Sequence, residues 1–334
     1  MRRAPGDAAD DGRAAQATRA AFIAAYNADF FGKAQAAKTR CLCGSARTKL
    51  LFDKDRYGLK SPTVICRDCG LVFTSPRPSR AFLRDFYQSD TYRYFYEEAA
   101  SEADIEARCA DRYRDDNFIH ATCATYLSDI AASHRPRVLE VGAGGGWNLV
   151  PFLRSCDVTG IEFSPLLCDM ARARGIGLLC GGLERLSETD RDFDLIIVNH
   201  VVEHFSDFFA DMRTVLTKLA NKGLLYVGVP DIDHFNESQI QNAHNYYFSG
   251  PTLIHYCGAL GLVPLQAGRD DSQIHQYAIF RAAPPGAATG TNDLSSEYRR
   301  MVGKYRRYWY RDKAASALDA VGLRQTVRAM LRRT

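Results

Sequence analysis

Glu140-Val141-Gly142-Ala143-Gly144-Gly145-Gly146 stands directly after an apolar stretch, where an acid and closely spaced glycines can bring backbone against a ligand. N–H groups that open a helix after such a turn face an anionic group. Glu162 follows twenty residues past Gly142, at the end of the next apolar stretch. A carboxylate there can accept hydrogen bonds from both hydroxyls of a ribose. Together these features describe a site for a nucleoside-bearing ligand. A dinucleotide turn reads GxGxxG, and counting from Gly142 puts Trp147 where its third glycine belongs, so NAD fits less well.

A second group is rich in imidazoles. His200-Val201-Val202-Glu203-His204 has the HxxEH order of inverted zinc proteases, in which two imidazoles and a carboxylate share a helix. It directly follows the apolar run 195–198, and a position at the end of a strand argues against a protease. His200 is then a candidate base at the edge of a ligand site. His244, within Ala243-His244-Asn245-Tyr246-Tyr247-Phe248-Ser249, is a candidate on the substrate side, with Tyr226, Tyr246 and Tyr247 as pocket lining. Capping or packing is the competing role for each of these residues.

Cysteines form a third group. Cys41-x-Cys43-Gly44 and Cys66-x-x-Cys69-Gly70 supply four thiolates in a short segment poor in core residues, and four thiolates can fold such a segment around one tetrahedral zinc. Unliganded cysteines are the alternative. Four Cys ligands leave no position for water, so the zinc would be structural. Cys109, Cys123, Cys156, Cys168, Cys180 and Cys257 read as small buried hydrophobes.

Regular elements must hold these groups in place. From Pro136 the pattern predicts strands over 137–141, 158–162, 176–180, 193–198 and 223–229, alternating with helices over 147–155, 165–174 and 208–219. A helix over 249–258 and a strand over 275–281 complete the unit. The fold class is α/β, a Rossmann-like doubly wound sheet of parallel strands, and ligands bind such sheets at the carboxyl ends of the strands. Around this unit, taken as 133–282, stand a helical arm (1–38) and a zinc-ribbon-like module (39–78). An aromatic helical bridge (79–132) and, from 283 to 334, a linker and basic tail complete the chain. The arm carries Phe22, Ile23, Tyr26, Phe30 and Phe31, and the bridge carries Phe86, Tyr87, Tyr92, Tyr94, Phe95 and Tyr96.

With 46% hydrophobic and 25% charged residues, the 334-residue chain has a globular composition, which excludes a disordered or fibrous protein. A net charge of +4 is too small to imply nucleic acid by itself, and it is concentrated at the end of the chain: eleven Lys/Arg from Arg299 onward face Asp312 and Asp319. These cations interleave with Tyr305, Tyr308, Trp309 and Tyr310, as in helices that touch a membrane surface, although Gly303 and Gly322 weaken a long helix. No apolar run reaches the ~20 residues that cross a bilayer. The ten cysteines and the absence of a secretory-type apolar segment near Met1 lead us to expect a reduced, cytoplasmic setting.

The segments VLEVGAGGG, GIEFSP, FDLIIVNHVVEHFSD and GLLYVGVPD, in that order, resemble motif I, the second-strand acid, and the fourth- and fifth-strand regions of class I S-adenosylmethionine (SAM) methyltransferases. More narrowly, residues 40–282 are similar to bacterial methyltransferases that carry an N-terminal Cys-rich zinc-binding module and act on sugars, glycans or natural products. The resemblance implies SAM as cofactor. Glu140, Gly142, Ala143, Gly144 and Gly146 would lie along its methionine part and Glu162 would hold its ribose. Phe163 and Leu183 would stand with the cofactor contacts, Leu183 by the adenine, and Asn199 and His200 would edge the site. Structural zinc would sit on Cys41, Cys43, Cys66 and Cys69.

The chain departs from that family at three places. Arg40 replaces the first Cys of the usual CxxC, Gly182 replaces an Asp near the adenine, and Ala243 replaces the Glu before His244. Adenine recognition then leans on backbone groups or Glu184. Loss of the acid at 243 turns the expectation away from carbon and toward an oxygen acceptor, on a small molecule, nucleotide-sugar or glycan. The alternatives are an RNA methyltransferase and a non-catalytic or NAD-binding Rossmann protein. No NPPY-like tetrad follows the fourth strand, so nucleic acid is not the expected partner.

Overall fold

The computed structural model describes residues 19–29, 37–79, 81–82, 85, 102–234, 239–270, 275–284 and 292–320. Phe30, Phe31, Gly322 and the bridge aromatics from Phe86 to Tyr96 lie outside them. Helical residues 19–29 are followed by three antiparallel strands: β1 (Thr48–Lys54), β2 (Lys60–Cys66) and β3 (Val72–Thr74). Helices α1 (Glu102–Ala110) and α2 (Phe118–Ala131) follow, the latter opened by Asn117, whose side chain accepts from the His120 N–H.

The second sheet contains β4 (Arg137–Val141), β5 (Asp157–Glu162), β6 (Leu178–Cys180), β7 (Phe193–Asn199) and β8 (Leu219–Pro230), all parallel. β7 is buried from Phe193 through Val198 and apolar there except for Asp194, as expected of a strand covered on both faces. Helices α3 (Pro165–Arg172) and α4 (Phe208–Leu216) make two of the crossovers, and their N-termini are capped by Ser164 and Asp207.

A two-residue strand β9 (Tyr246–Tyr247) precedes α5 (Gly250–Gly258), which starts in a capping box between Ser249 and Thr252. Strands β10 (Leu262–Asp270) and β11 (His275–Ala282) then extend the sheet antiparallel, giving the order β10-β11-β8-β7-β4-β5-β6 among the described residues. The chain moves outward from β4 through β5 to β6, then returns to the other side of β4 with β7. The crevice at the carboxyl ends of β4 and β7 is the switch point where such sheets bind ligands.

Several expected elements differ. The helix over 147–155 does not form, because Pro151 has no N–H to donate to the preceding turn; only the 3-10 turn Val150–Phe152 remains. β10 was not foreseen: Pro264 beside a register shift and Gly268 within the strand disguise it as a loop. Helix α6 (Glu297–Ala320) runs straight through Gly303. Its first turns are fixed by tertiary contacts, with Met301 and Val302 buried against Leu51, Ile65, Val72, Ile240 and Tyr247, and packing of that kind overrides local propensity. Cys168 and Cys180, expected as unpaired hydrophobes, are joined by a disulfide, whereas Cys109, Cys123, Cys156 and Cys257 are buried free thiols.

The Cys-bearing segment shares a core with the large sheet. Cys41, Val64, Cys66, Leu71 and Phe73 lie in one apolar cluster with Val198, Phe208, Tyr256 and Phe280. β9 pairs with β3, so the segment leading into α5 supplies the fourth strand of the small sheet. Phe22, Ile23 and Tyr26 of helical residues 19–29 pack with Leu59, Tyr57 and Phe82.

Candidate functional site

The glycine turn leaves β4 at the switch point. Gly142, Gly144 and Gly146 have φ of 70°, 55° and 79°, a region that L side chains avoid. A Cβ on Gly142 would strike the Val201 side chain, one on Gly144 the Trp147 ring, and one on Gly146 would come within 2.8 Å of Ile176 Cδ1. Backbone shape and packing inside the protein therefore require these glycines. Glu162 closes the turn from the end of β5: the Gly144 N–H donates to Oε2 and the Ser164 N–H to Oε1, both at 2.8 Å.

Glu140 points into the interior. Asn148 donates to its Oε1 at 2.7 Å, while Oε2 is buried without a hydrogen-bond partner. Burial pushes this carboxyl up to about 8, opposed by the Asn148 hydrogen bond. A ligand carrying positive charge nearby would restore the ionised form, and the amino and sulfonium groups of SAM fit that need. Ala143 is buried in the turn and its N–H donates to Ile161 O.

At the other end of the turn Phe163 is 70% exposed, and its ring edge lies so near Gly182 that a Cβ there would come within 2.8 Å of it. Leu183 begins a 3-10 turn, Leu183–Glu188, and is half-buried. Glu184, a sequence candidate for adenine recognition, is already engaged: its Oε1 accepts from the Gly182 N–H at 2.8 Å.

Beyond β7 the imidazoles meet. Asn199 ends the strand, and His200 follows with φ 57°, an uncommon conformation for a side-chain-bearing residue and one found at functional sites. His200 Nδ1 is 3.3 Å from Glu203 Oε1, and its Nε2 is 2.9 Å from His275 Nδ1. A carboxylate facing Nδ1 places the proton there, so Nε2 accepts from the His275 N–H and the lone pair of His275 falls on Nε2. His275 lines a cavity of about 60 Å³ with Asn117, Phe118, Asn148, Asn199, Tyr226 and Asp270.

His275 was not among the sequence candidates. β11 runs antiparallel to β8 with His275 opposite Pro230, which brings its first residue to the carboxyl end of the parallel strands. A histidine opening such a strand is the signal that could have found it.

His244 comes from the opposite wall. Thr74 Oγ1 of β3 donates to His244 O at 2.7 Å, and Asn245 ties the segment to the turn after β7 through its N–H to Glu203 O. His244 is buried, its ring 4.8 Å from that of His204, and burial together with the neighbouring His204 holds it neutral. Burial would raise Glu203, but His200, His204 and His244 around it outweigh that and hold it ionised. The site thus brings His200 and His244 to the two flanks of Glu203. Tyr226 stacks on Tyr277, and Tyr246 and Tyr247 are buried in the small sheet.

The four cysteines converge as well. Cys41 Sγ and Cys69 Sγ are 3.4 Å apart, Cys43 Sγ and Cys66 Sγ 3.6 Å. A tetrahedral zinc about 2.3 Å from each sulfur needs sulfurs ~3.8 Å apart, so the set fits one ion despite the CxC pair. Tyr256 of α5 donates to Cys69 Sγ at 3.0 Å, and the Asp68 N–H donates to Cys66 Sγ at 3.4 Å, the outer bonds that steady thiolate ligands.

Residues 111–267 match a family model described as a methyltransferase domain. No curated protein matches the chain. Among solved structures, it is similar to the plantazolicin methyltransferase BpumL in complex with a pentazolic desmethylPZN analog and SAH. The identity is 14%, the TM-score 0.46, and the match covers 61% of this chain and 96% of that one. It is also similar to magnesium protoporphyrin IX methyltransferase (ChlM) from Synechocystis PCC 6803 with bound SAH, at 13% identity and a TM-score of 0.43, covering 61% and 100%. N-methyltransferase NodS from Bradyrhizobium japonicum WM9 gives 21% identity and a TM-score of 0.37, covering 51% and 100%.

Proposed function

We propose that residues 111–267, which match a methyltransferase-domain model, act with SAM, and that the chain transfers the methyl group to a hydroxyl oxygen of a small molecule, nucleotide-sugar or glycan. The observation that carries this reading is the meeting of two features at one switch point. They are the glycine turn closed by Glu162 and the His200–His275 imidazole pair beside a small cavity. SAM supplies a methyl group on a positively charged sulfur, which the acceptor displaces in line.

Gly142, Ala143, Gly144 and Gly146 hold the methionine part, with Glu140 giving its buried charge to the cationic end. Glu162 accepts from the ribose hydroxyls, Phe163 and Leu183 border the adenine, and Asn199 edges the methyl-bearing end. Positioning of donor and acceptor supplies most of the rate in such a displacement. His275 takes the acceptor proton, and His200, set by Glu203, orients it. His244 walls the acceptor side.

Cys41, Cys43, Cys66 and Cys69 hold a structural zinc in this scheme. Its role is to keep β3 in place, and β3 in turn carries β9 and the His244 segment. The reaction is cytoplasmic in this reading. Exposed Trp309 and Tyr310 beside Arg306, Arg307 and Arg311 on α6 support peripheral contact with a membrane carrying a lipid-linked acceptor. Among the described residues no helix is long and apolar enough to cross a membrane.

The test is turnover of SAM against pooled nucleotide-sugars, glycans and lipids, with mass detection of the added methyl group. A methylated hydroxyl supports the reading. A methylated carbon or nitrogen overturns the oxygen assignment, and methylation confined to RNA overturns the acceptor class.

A further inference from the structure

Glu203 is 1% exposed, and its Oε2 is buried without a hydrogen-bond partner. His200 Nδ1 stands at ion-pair distance, 3.3 Å from Oε1. His244 is 4% exposed, and its Nδ1 is buried without a partner. Buried polar atoms left in this way cost free energy, and in folded proteins such positions hold an ion or an ordered water.

One ligand atom from each of Glu203, His204 and His244 lies within 4.8 Å of the other two. His204 Nδ1 donates to Ala243 O at 3.0 Å, which fixes its proton there and leaves a lone pair on Nε2. A hydrogen bond from the far ring nitrogen to a backbone carbonyl is how metal-bound imidazoles are usually oriented. Asn245 clamps the two contributing segments together: its N–H donates to Glu203 O at 2.6 Å, and its Nδ2 donates to His204 O at 3.0 Å. The three side chains are therefore held against one another by backbone, independently of any ligand.

We propose that Glu203, His204 and His244 bind one divalent transition-metal ion at the acceptor side of the methyl-transfer site, with an open position for a hydroxyl oxygen of the substrate. Two imidazoles and one carboxylate suit manganese, iron, cobalt or zinc, whereas four thiolates suit zinc. Ligand atoms around a four-coordinate ion stand ~3.4 Å apart, so the trio draws in by about 1 Å when the ion enters.

The ion's part in methyl transfer rests on the proposed hydroxyl acceptor; its binding does not. An oxygen bound to the metal gives up its proton more readily, and the proton leaves to solvent. The oxygen lone pair then forms the bond to the methyl carbon as the carbon–sulfur bond breaks, its electron pair staying on sulfur. No oxidation or reduction occurs, and the methyl ether leaves the metal as a neutral ligand. This chemistry selects acceptors that present a hydroxyl, with vicinal hydroxyls able to chelate.

The test is a titration of the full chain with Mn2+, following loss of the free-ion electron paramagnetic resonance signal without SAM or acceptor. Manganese is a poor ligand partner for thiolates, so the Cys cluster does not compete. One Mn2+ per chain is expected, and it is lost in Glu203→Gln and His244→Gln. SAM calorimetry serves as the check that each variant is folded, and His204→Gln, at a half-buried position, replaces any that is not. Wild-type protein that leaves millimolar Mn2+ free and that carries no metal beyond the Cys cluster overturns the proposal and assigns water to the pocket. Binding of metal without methyl transfer to any hydroxyl keeps the site and overturns the acceptor reading.

Discussion

Replacing Glu162 by Gln keeps the volume and removes the charge at the point where the glycine turn meets the ribose. In the present geometry both carboxylate oxygens serve inward-facing N–H groups at 2.8 Å, from Gly144 and Ser164. Gln can offer an oxygen to only one of them and sets an NH2 group against the other. That mismatch loosens the turn by ~1–3 kcal/mol, the cost of a buried donor left unsatisfied. The outward lone pairs change as well: two ribose hydroxyls lose charge-assisted bonds, together ~3–4 kcal/mol. The dissociation constant for SAM should rise by about 10²- to 10³-fold. Calorimetric titration of wild type and Glu162→Gln with SAM reads this directly, with a thermal melt to show that the variant is folded. An affinity within ~fivefold of wild type, about 1 kcal/mol, in a folded variant would refute the placement of the ribose on Glu162.

Glu140 makes a pH prediction. Its carboxyl is raised from the ordinary 4.5 to about 8 by burial, so the ligand-free fold holds a proton that the unfolded chain releases. That stabilises the fold below pH ~4.5 and is lost as pH rises through about 8. A cationic ligand beside Glu140 favours the ionised form, so SAM binding near neutral pH should release a proton. Calorimetry in buffers of different ionisation enthalpy measures it, and zero protons would remove Glu140 from the cofactor site.

His275→Gln should lower kcat by ~10²-fold or more with little change in SAM affinity; an unchanged kcat would exclude it as the base. Gly142→Ala puts a methyl group into Val201 at a φ of 70°, and a melting temperature equal to wild type would contradict the packing described for the turn. Removing zinc with a chelator, or Cys66→Ser, should raise the acceptor KM before it weakens SAM binding, because β3 holds the His244 segment and not the glycine turn.

Much of the sheet was legible because its strands are long apolar runs. Arg137–Val141 was readable to the residue, and Phe193–Asn199 to within one. The sequence misled where one residue carried the decision. Pro151 sits in a stretch of otherwise helical pattern and prevents the helix, and Pro264 and Gly268 hide a strand that pairs over its whole length with β11. The glycine turn was identified, but the reason for its glycines differs: protein side chains fill the space a Cβ would need.

Contacts between distant segments were not legible. The pairing of β9 with β3 joins residues about 170 positions apart, and nothing local in Tyr246-Tyr247 points to Val72 and Phe73. His275 reaches His200 only through the register of an antiparallel strand, and Cys168 meets Cys180 only because α3 packs on β6. Glu203 was visible as part of HVVEH, but its burial among three imidazoles depends on where Asn245 holds the opposite segment.

The most direct test of the account is a crystal structure with S-adenosylhomocysteine bound. The account predicts ribose hydroxyls within hydrogen-bond distance of Glu162, the homocysteine part along Gly142 to Gly146, and the sulfur facing the cavity shared by Asn199, Tyr226 and His275. A ribose bound elsewhere, with Glu162 closed on Gly144 and the sulfur turned away from the imidazoles, would contradict it.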